Sequence, residues 1–238
     1  MKKFIKNKIQ YILITLCLLS VSNTTGQENQ DQEGWSSVEL NIKATKKISF
    51  SVSEHLRYRN DITTLKNHFT QFKVNYKIFK NFELGGGVRY ITKNDDVGNI
   101  QGNKSLFRYQ FDAGFAKKIN KVDLSFRMRY QNKNQLGFSE NEGDTPVEYT
   151  RFRMGLGFRF KPAKINVRLY GELFNEHQNP EGNSGFNRHR CTIKFNRKFK
   201  NIGTLGVFYA LQDDYSENIK SRRTIVGLKY TCRIDFTK

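Results

Sequence analysis

The chain has 238 residues, 41 Lys and Arg against 22 Asp and Glu, a formal charge of +19, and only 37% hydrophobic residues, among them 20 Phe, 11 Tyr and 1 Trp. That is chain enough for one large all-β domain but too little Leu, Ile and Val for a soluble core of that size, whereas a barrel with a polar interior needs only one apolar face per strand. A basic balance also suits nucleic-acid phosphates, but here the arginines share one parity of successive strands with acids, which excludes nucleic acid as a partner.

Lys2, Lys3, Lys6 and Lys8 precede an apolar run over residues 9–21 and small or polar residues over 22–26. This order predicts a signal peptide over residues 1–26, cut between Gly26 and Gln27. The run is too short for a transmembrane helix. Cleavage removes four lysines and no acids, so the charge falls from +19 to +15. A lipoprotein anchored at Cys17 would need a small residue before it, and Leu16 stands there. Residues 27–34 are polar and read as a flexible tail, leaving residues 35–238 as one barrel domain.

From Trp35 onward the apolar period is two, which places successive side chains on opposite faces of a strand. Val38, Leu40 and Ile42 face one way, and a turn follows at Lys46 and Lys47. Ile48, Phe50, Val52, Leu56 and Tyr58 alternate with polar residues, although Glu54 falls on the apolar parity, where either a bulge resets the register or an acid meets an interface. The alternation continues over 72–78, 82–90, 107–116, 122–131, 150–160, 165–175, 188–197, 205–211 and 224–236. The clearest pair is Phe107, Tyr109, Phe111, Ala113 and Phe115 followed by Val122, Leu124, Phe126, Met128 and Tyr130. Segments of about ten residues are long enough to cross a bilayer when tilted.

Short turns near Lys46, Lys80, Lys118, Pro162 and Lys200 alternate with longer stretches over 60–68, 92–104, 133–148, 176–187 and 212–221. That rhythm belongs to an outer-membrane barrel. The long stretches carry the acids Asp95, Asp96, Glu140, Glu142, Asp144, Asp213, Asp214 and Glu217. The expected fold is an all-β, antiparallel up-and-down transmembrane β-barrel of ten to twelve strands. Eleven segments are visible, and twelve strands are preferred because single-chain bacterial barrels close with even numbers.

Six short stretches carry a family resemblance: Trp35, the run Glu54, His55, Leu56, Arg57, Tyr58, Arg59, the run Tyr149 to Arg153, the run Glu172 to Asn175, the run Asn187 to Arg190, and the run Tyr209 to Gln212. In order and spacing these resemble the family of domain of unknown function 2490 (DUF2490), from about Trp35 to the C-terminus. The resemblance implies an outer-membrane β-barrel in a Gram-negative envelope. It brings no activity and no catalytic residues.

Arg57, Arg59, Arg89, Arg108, Arg127, Arg129, Arg151, Arg153, Arg159, Arg168, Arg188 and Arg190 share the inward parity with Glu83, Asp112, Asp123 and Glu172. Paired with those carboxylates, the guanidinium groups would fill and brace a small lumen. Their excess over the acids would instead attract small anionic solutes or a lipid phosphate along a narrow path. Gly85, Gly87, Gly114, Gly155, Gly157 and Gly227 on the same parity relieve crowding and are not a phosphate loop. No His, Cys, Asp or Glu cluster has metal-site spacing, and no cofactor is expected.

The four histidines, His55, His68, His177 and His189, are the candidate catalytic bases, and His189, on the outward parity with Cys191 and Ile193, stands near an extracellular strand end. No serine is identified as its partner, so the chain is expected not to be an enzyme. Cys191 and Cys232 fall on strands separated by a third, beyond the reach of a disulfide, and are expected as free thiols facing lipid. The segment Gly227 to Phe236 resembles the C-terminal signal read by the barrel-assembly machinery. The expected role is structural, binding, or narrow anion-preferring transport in contact with outer-membrane lipid. The alternatives are a membrane-embedded lipid hydrolase or acyltransferase using His189 or a loop histidine, and a soluble periplasmic β-sandwich.

Overall fold

The computed structural model describes residues 29–95, 102–138, 144, 146–177, 184–200, 202–215 and 220–237. The expected signal peptide, its cleavage point, Cys17, and the acids Asp96, Glu140, Glu142 and Glu217 lie outside the described residues. Eleven strands run in sequence: β1 (Asn29–Lys43), β2 (Ile48–Arg59), β3 (Thr64–Phe79), β4 (Phe82–Asp95), β5 (Gly102–Ile119), β6 (Val122–Gln135), β7 (Val147–Phe160), β8 (Ile165–Glu176), β9 (Gly185–Phe199), β10 (Gly203–Tyr215) and β11 (Lys220–Asp235).

Each strand pairs antiparallel with the one before it, and β1 closes on β11 in parallel, from Asn29 opposite Ser221 to Lys43 opposite Asp235. An odd number of sequential antiparallel strands can close in no other way. The preference for twelve strands is thus corrected to eleven, and β1 belongs to the wall. With strands about 4.8 Å apart and tilted about 40°, the closed sheet is about 22 Å across between backbones. A single closed sheet is also not two packed sheets, so the sandwich architecture is overturned.

Period-two alternation becomes an apolar outer wall and a polar inner one. Phe111, Met154, Leu173 and Val207 stand exposed on the outside. On the inside, Ser51, Ser53, Gln71, Gln110, Asp112, Arg129 and Glu172 are buried. The wall excludes water from a polar interior, so the buried groups must find partners within it.

Strands reach further than the apolar pattern does. The first residues expected as a flexible tail are instead strand from Asn29 on, and Glu33 is 1% exposed, held by Lys66 at 2.6 Å and by Trp35 Nε1 at 2.7 Å. Residues 64–68, 92–95 and 133–135, expected in long loops, likewise continue β3, β4 and β6. At these ends both faces are polar, so the alternation vanishes while the hydrogen-bond ladder goes on. The connection at 60–63 is therefore a tight turn, with Asn60, Asp61 and Ile62 all at positive φ.

Glu54 causes no break. It points outward from β2 and accepts a hydrogen bond from Thr70, and the register shift lies later, between Arg57 and Tyr58. At the closing seam Gly227 lies opposite both Trp35 and Phe208, and a Cβ there would sit 2.1 Å from the Phe208 ring. Glycine lets the ring lie flat on the backbone and meet Trp35 edge-on at 6.3 Å. Cys191 and Cys232 are free, with β10 between their strands.

Candidate functional site

The lumen is built where the register sets arginine against arginine. Arg89 lies directly opposite Arg108 across β4 and β5, Arg129 opposite Arg151 and Arg127 opposite Arg153 across β6 and β7. Like charges directly opposite weaken a sheet. A closed wall cannot turn them out to solvent, because a one-residue slip would send the apolar face inward.

Two carboxylates relieve part of the repulsion. Glu172, 6% exposed, receives Arg127 at 2.6 Å, Arg151 at 2.9 Å and Arg190 at 3.8 Å. Asp112 is gripped by Arg129 through two parallel bonds, Nε to Oδ1 at 2.5 Å and Nη2 to Oδ2 at 2.9 Å, with Lys73 3.6 Å away. Bidentate contacts of this kind orient as well as attract.

Glutamines take further guanidinium bonds, and Arg89 and Arg108 have no carboxylate partner among the described residues. Gln71 accepts from Arg89, Gln110 from Arg108 at 2.8 Å, Gln131 from Arg151 at 2.9 Å, and Gln212 from Arg190 at 2.9 Å. A glutamine oxygen accepts a hydrogen bond but carries no charge. Aromatic faces do the same: Arg57 lies 3.8 Å from the Trp35 ring, Arg89 3.8 Å from Phe69, and Arg151 4.3 Å from Phe174. Each such contact orients a cation and leaves its charge in place.

Two cavities result. The one toward the longer loops has a volume of about 650 Å³, and among the described residues thirteen lysines and arginines line it against Asp144 and Glu172. That excess makes it a basic basin. Nε of Arg108 and of Arg151, both nine-tenths buried along this cavity, has no hydrogen-bond partner among the described residues. The second cavity, about 390 Å³, opens toward the short turns and is lined by Lys73, Lys77, Lys80, Glu83, Asp112 and Arg168. Arg127 and Arg153 line both. Arg129 faces the first and Asp112 the second, so their ion pair stands in the partition.

The remaining expected site residues spread toward the two mouths. Arg59 stands at the end of β2 by the turn at 60–63. Arg188 pairs with Asp214, which Arg223 also contacts, and Arg153 lies 4.7 Å from the Tyr170 ring. Arg159, Arg168, Glu83 and Asp123 are exposed near the short turns. Glu83 and Asp123 form no ion pair with these arginines among the described residues, so the expected four acidic partners reduce to Asp112 and Glu172. Three further inward acids take their place: Glu33 with Lys66 and Arg223, Glu39 with Lys229 at 2.8 Å, and Asp214. Glu33 lay in the supposed tail, and Asp214 in a supposed loop. No sequence signal marks the glutamine acceptors, because a neutral amide on a polar parity looks like any other.

His189 is held between Asp213, 3.1 Å from Nε2, and the Tyr215 hydroxyl, 2.7 Å from Nδ1. Both ring nitrogens are thus occupied by an acid and a phenol. Neither partner is an aliphatic hydroxyl.

The family model described as "Protein of unknown function (DUF2490)" matches residues 32–223, most of the chain. A comparison with curated proteins finds no match.

Proposed function

The chain therefore belongs to the DUF2490 family, and we propose that it is an outer-membrane barrel, exported through its N-terminal signal, whose basic lumen binds small anionic solutes from the side of the longer loops. The observation that carries this reading is the facing pair Arg89 and Arg108, whose acceptors are Gln71 and Gln110 rather than carboxylates. A lumen that only braced the wall would gain by matching each guanidinium with an acid. Leaving the charge unmatched keeps a positive field focused between low-dielectric walls, the arrangement that concentrates anions.

Membrane embedding is supported by the outer wall. Phe111 is 61% exposed and Met154 68% exposed, within a continuous apolar band that would drive aggregation in water. Outer-membrane lipid is the proposed surrounding, and the barrel-assembly machinery the proposed partner during insertion, through the closing strand β11. The partition formed by Arg129 and Asp112 makes any path between the two mouths narrow and anion-preferring.

Trp35, the one tryptophan, lies against Arg57 at 3.8 Å and Arg190 at 5.0 Å and so reports on the basin. Titration of the refolded chain with phosphate or pyrophosphate at constant ionic strength is expected to give a saturable change in its fluorescence. A response that does not saturate, or one equal for chloride and pyrophosphate, would overturn the reading.

A further inference from the structure

On the outer wall, above the apolar rows, the register of β6, β7 and β8 gathers a second set of polar side chains that the lumen does not use. Tyr130, Thr150 and Asn175 stand side by side in one row, and Asn132, Glu148 and His177 in the next toward the longer loops, where the His177 amide still bonds the Glu148 carbonyl. Thr150 Oγ1 lies 2.7 Å from His177 Nε2, and Glu148 Oε2 lies 3.5 Å from His177 Nδ1. The other Glu148 oxygen accepts from Asn132 at 2.7 Å and from Tyr130 at 3.0 Å. Those two donors fix the carboxylate where it faces the imidazole. In the tautomer that carries its proton on Nδ1, toward Glu148, Nε2 is the acceptor for the Thr150 hydroxyl proton.

From this arrangement we propose that Thr150, His177 and Glu148 form an esterase site on the lipid-facing wall, with a membrane lipid ester as substrate. Hydroxyl, imidazole and carboxylate stand in the order that activates an alcohol for acyl transfer, whatever the fold. The His177 and Glu148 side chains are 38% and 35% exposed and Thr150 is 9% exposed, so a ligand approaches along the imidazole and the hydroxyl opens to it by a local shift of side chains. Asn175, directly across from Thr150 at a cross-strand spacing of about 5 Å, supplies an amide beside the hydroxyl for charge developing on a carbonyl oxygen.

A second observation points to the class of substrate. Immediately below the site the wall turns apolar, with Met128, Phe152 and Leu173 in the next row. Further down, a groove of about 780 Å³ opens where Gly171 removes a side chain between Met154, Leu156, Leu169, Cys191 and Ile193. An ester held at Thr150 would lay its acyl chain along this wall. Ester groups of lipids lie at that boundary between headgroup and hydrocarbon, so the substrate class rests on the membrane embedding proposed above.

The chemistry balances with water as the only co-reactant. Thr150 Oγ attacks the ester carbonyl carbon while His177 Nε2 takes its proton. The C–O bond to the alcohol breaks, the leaving oxygen takes that proton, and the acyl group stays on Thr150. Water then attacks the acyl carbon, gives its proton to His177, and releases the fatty acid as Thr150 Oγ recovers the proton.

The test uses the full chain refolded in detergent, its folding checked by heat-modifiable gel mobility. A fluorophosphonate is expected to phosphonylate Thr150 with loss of fluoride, read by peptide mass spectrometry, and phospholipid in mixed micelles to release fatty acid. Thr150→Ser should retain both, Thr150→Val should fall to background, and His177→Ala should lose on the order of a hundredfold in rate. Folded wild type that neither labels nor releases fatty acid would overturn the proposal, as would full activity in Thr150→Val. Labelling of Thr150 in a chain that fails to float with lipid vesicles would keep the site and overturn both the lipid substrate and the membrane reading.

Discussion

Replacing Glu172 with glutamine tests the lumen at its most heavily shared carboxylate. The side chain is 6% exposed and holds Arg127 at 2.6 Å and Arg151 at 2.9 Å, with Arg190 at 3.8 Å. Unit charges about 4 Å apart attract by about 4 kcal/mol at an effective dielectric of about 20, and the desolvation of each ion offsets several kcal/mol of the sum. Removing one partner of a buried pair costs about 3–5 kcal/mol, mostly because the cations left behind are uncompensated. Glu172→Gln should therefore lose about 3–5 kcal/mol in urea unfolding of the refolded barrel in detergent. Losing that charge leaves the surrounding cations uncompensated, so phosphate at fixed ionic strength should restore about 2.7 kcal/mol at a hundredfold excess over its Kd. A loss below about 1 kcal/mol would refute the shared-carboxylate account. A full loss that phosphate does not reduce would refute the claim that the uncompensated cluster recognises anions.

Gly227→Ala should cost about 1–3 kcal/mol by driving a Cβ into the Phe208 ring, and the second change Phe208→Ala should recover part of it in the same unfolding assay. Deleting residues 234–238 removes the pairing of Ile234 and Asp235 with β1 and the bond from the Phe236 amide to the Lys43 carbonyl. Surface labelling of cells should then find no inserted barrel, and normal labelling would contradict a closing role for this segment. Cys191 and Cys232 should both react with a membrane-permeant maleimide, and a non-reducing mass lower by two hydrogens would contradict the strand order.

The wall was legible from residue types alone because burial on one face imposes a period of two, as between Phe107 and Tyr130. Its limits were not. Glu33 sits among Gln, Asp and Gly, a composition that looks unstructured, and its partners Lys66 and Arg223 are brought to it only when the barrel closes. Strand number shows the same division: the apolar period marks eleven segments, and only the parallel seam of β1 and β11 lets an odd number close. For the lumen, parity identified which arginines point inward. It could not show that Arg129 faces Arg151 rather than an acid, because facing depends on register between strands about twenty residues apart. The outer site was hidden for the same reason: His177 lay in an expected loop, and only the pairing of β7 with β8 sets it against Thr150 and Glu148.

Conductance of the refolded barrel in a planar bilayer under a salt gradient tests the basic lumen most directly. The account predicts stable insertion, small or unresolved steps in the wild type with the Arg129 and Asp112 pair closing the partition, and larger steps in Asp112→Asn with a reversal potential set by anions. Cation-selective steps, or an Asp112→Asn barrel that inserts and conducts no better than wild type, would contradict it.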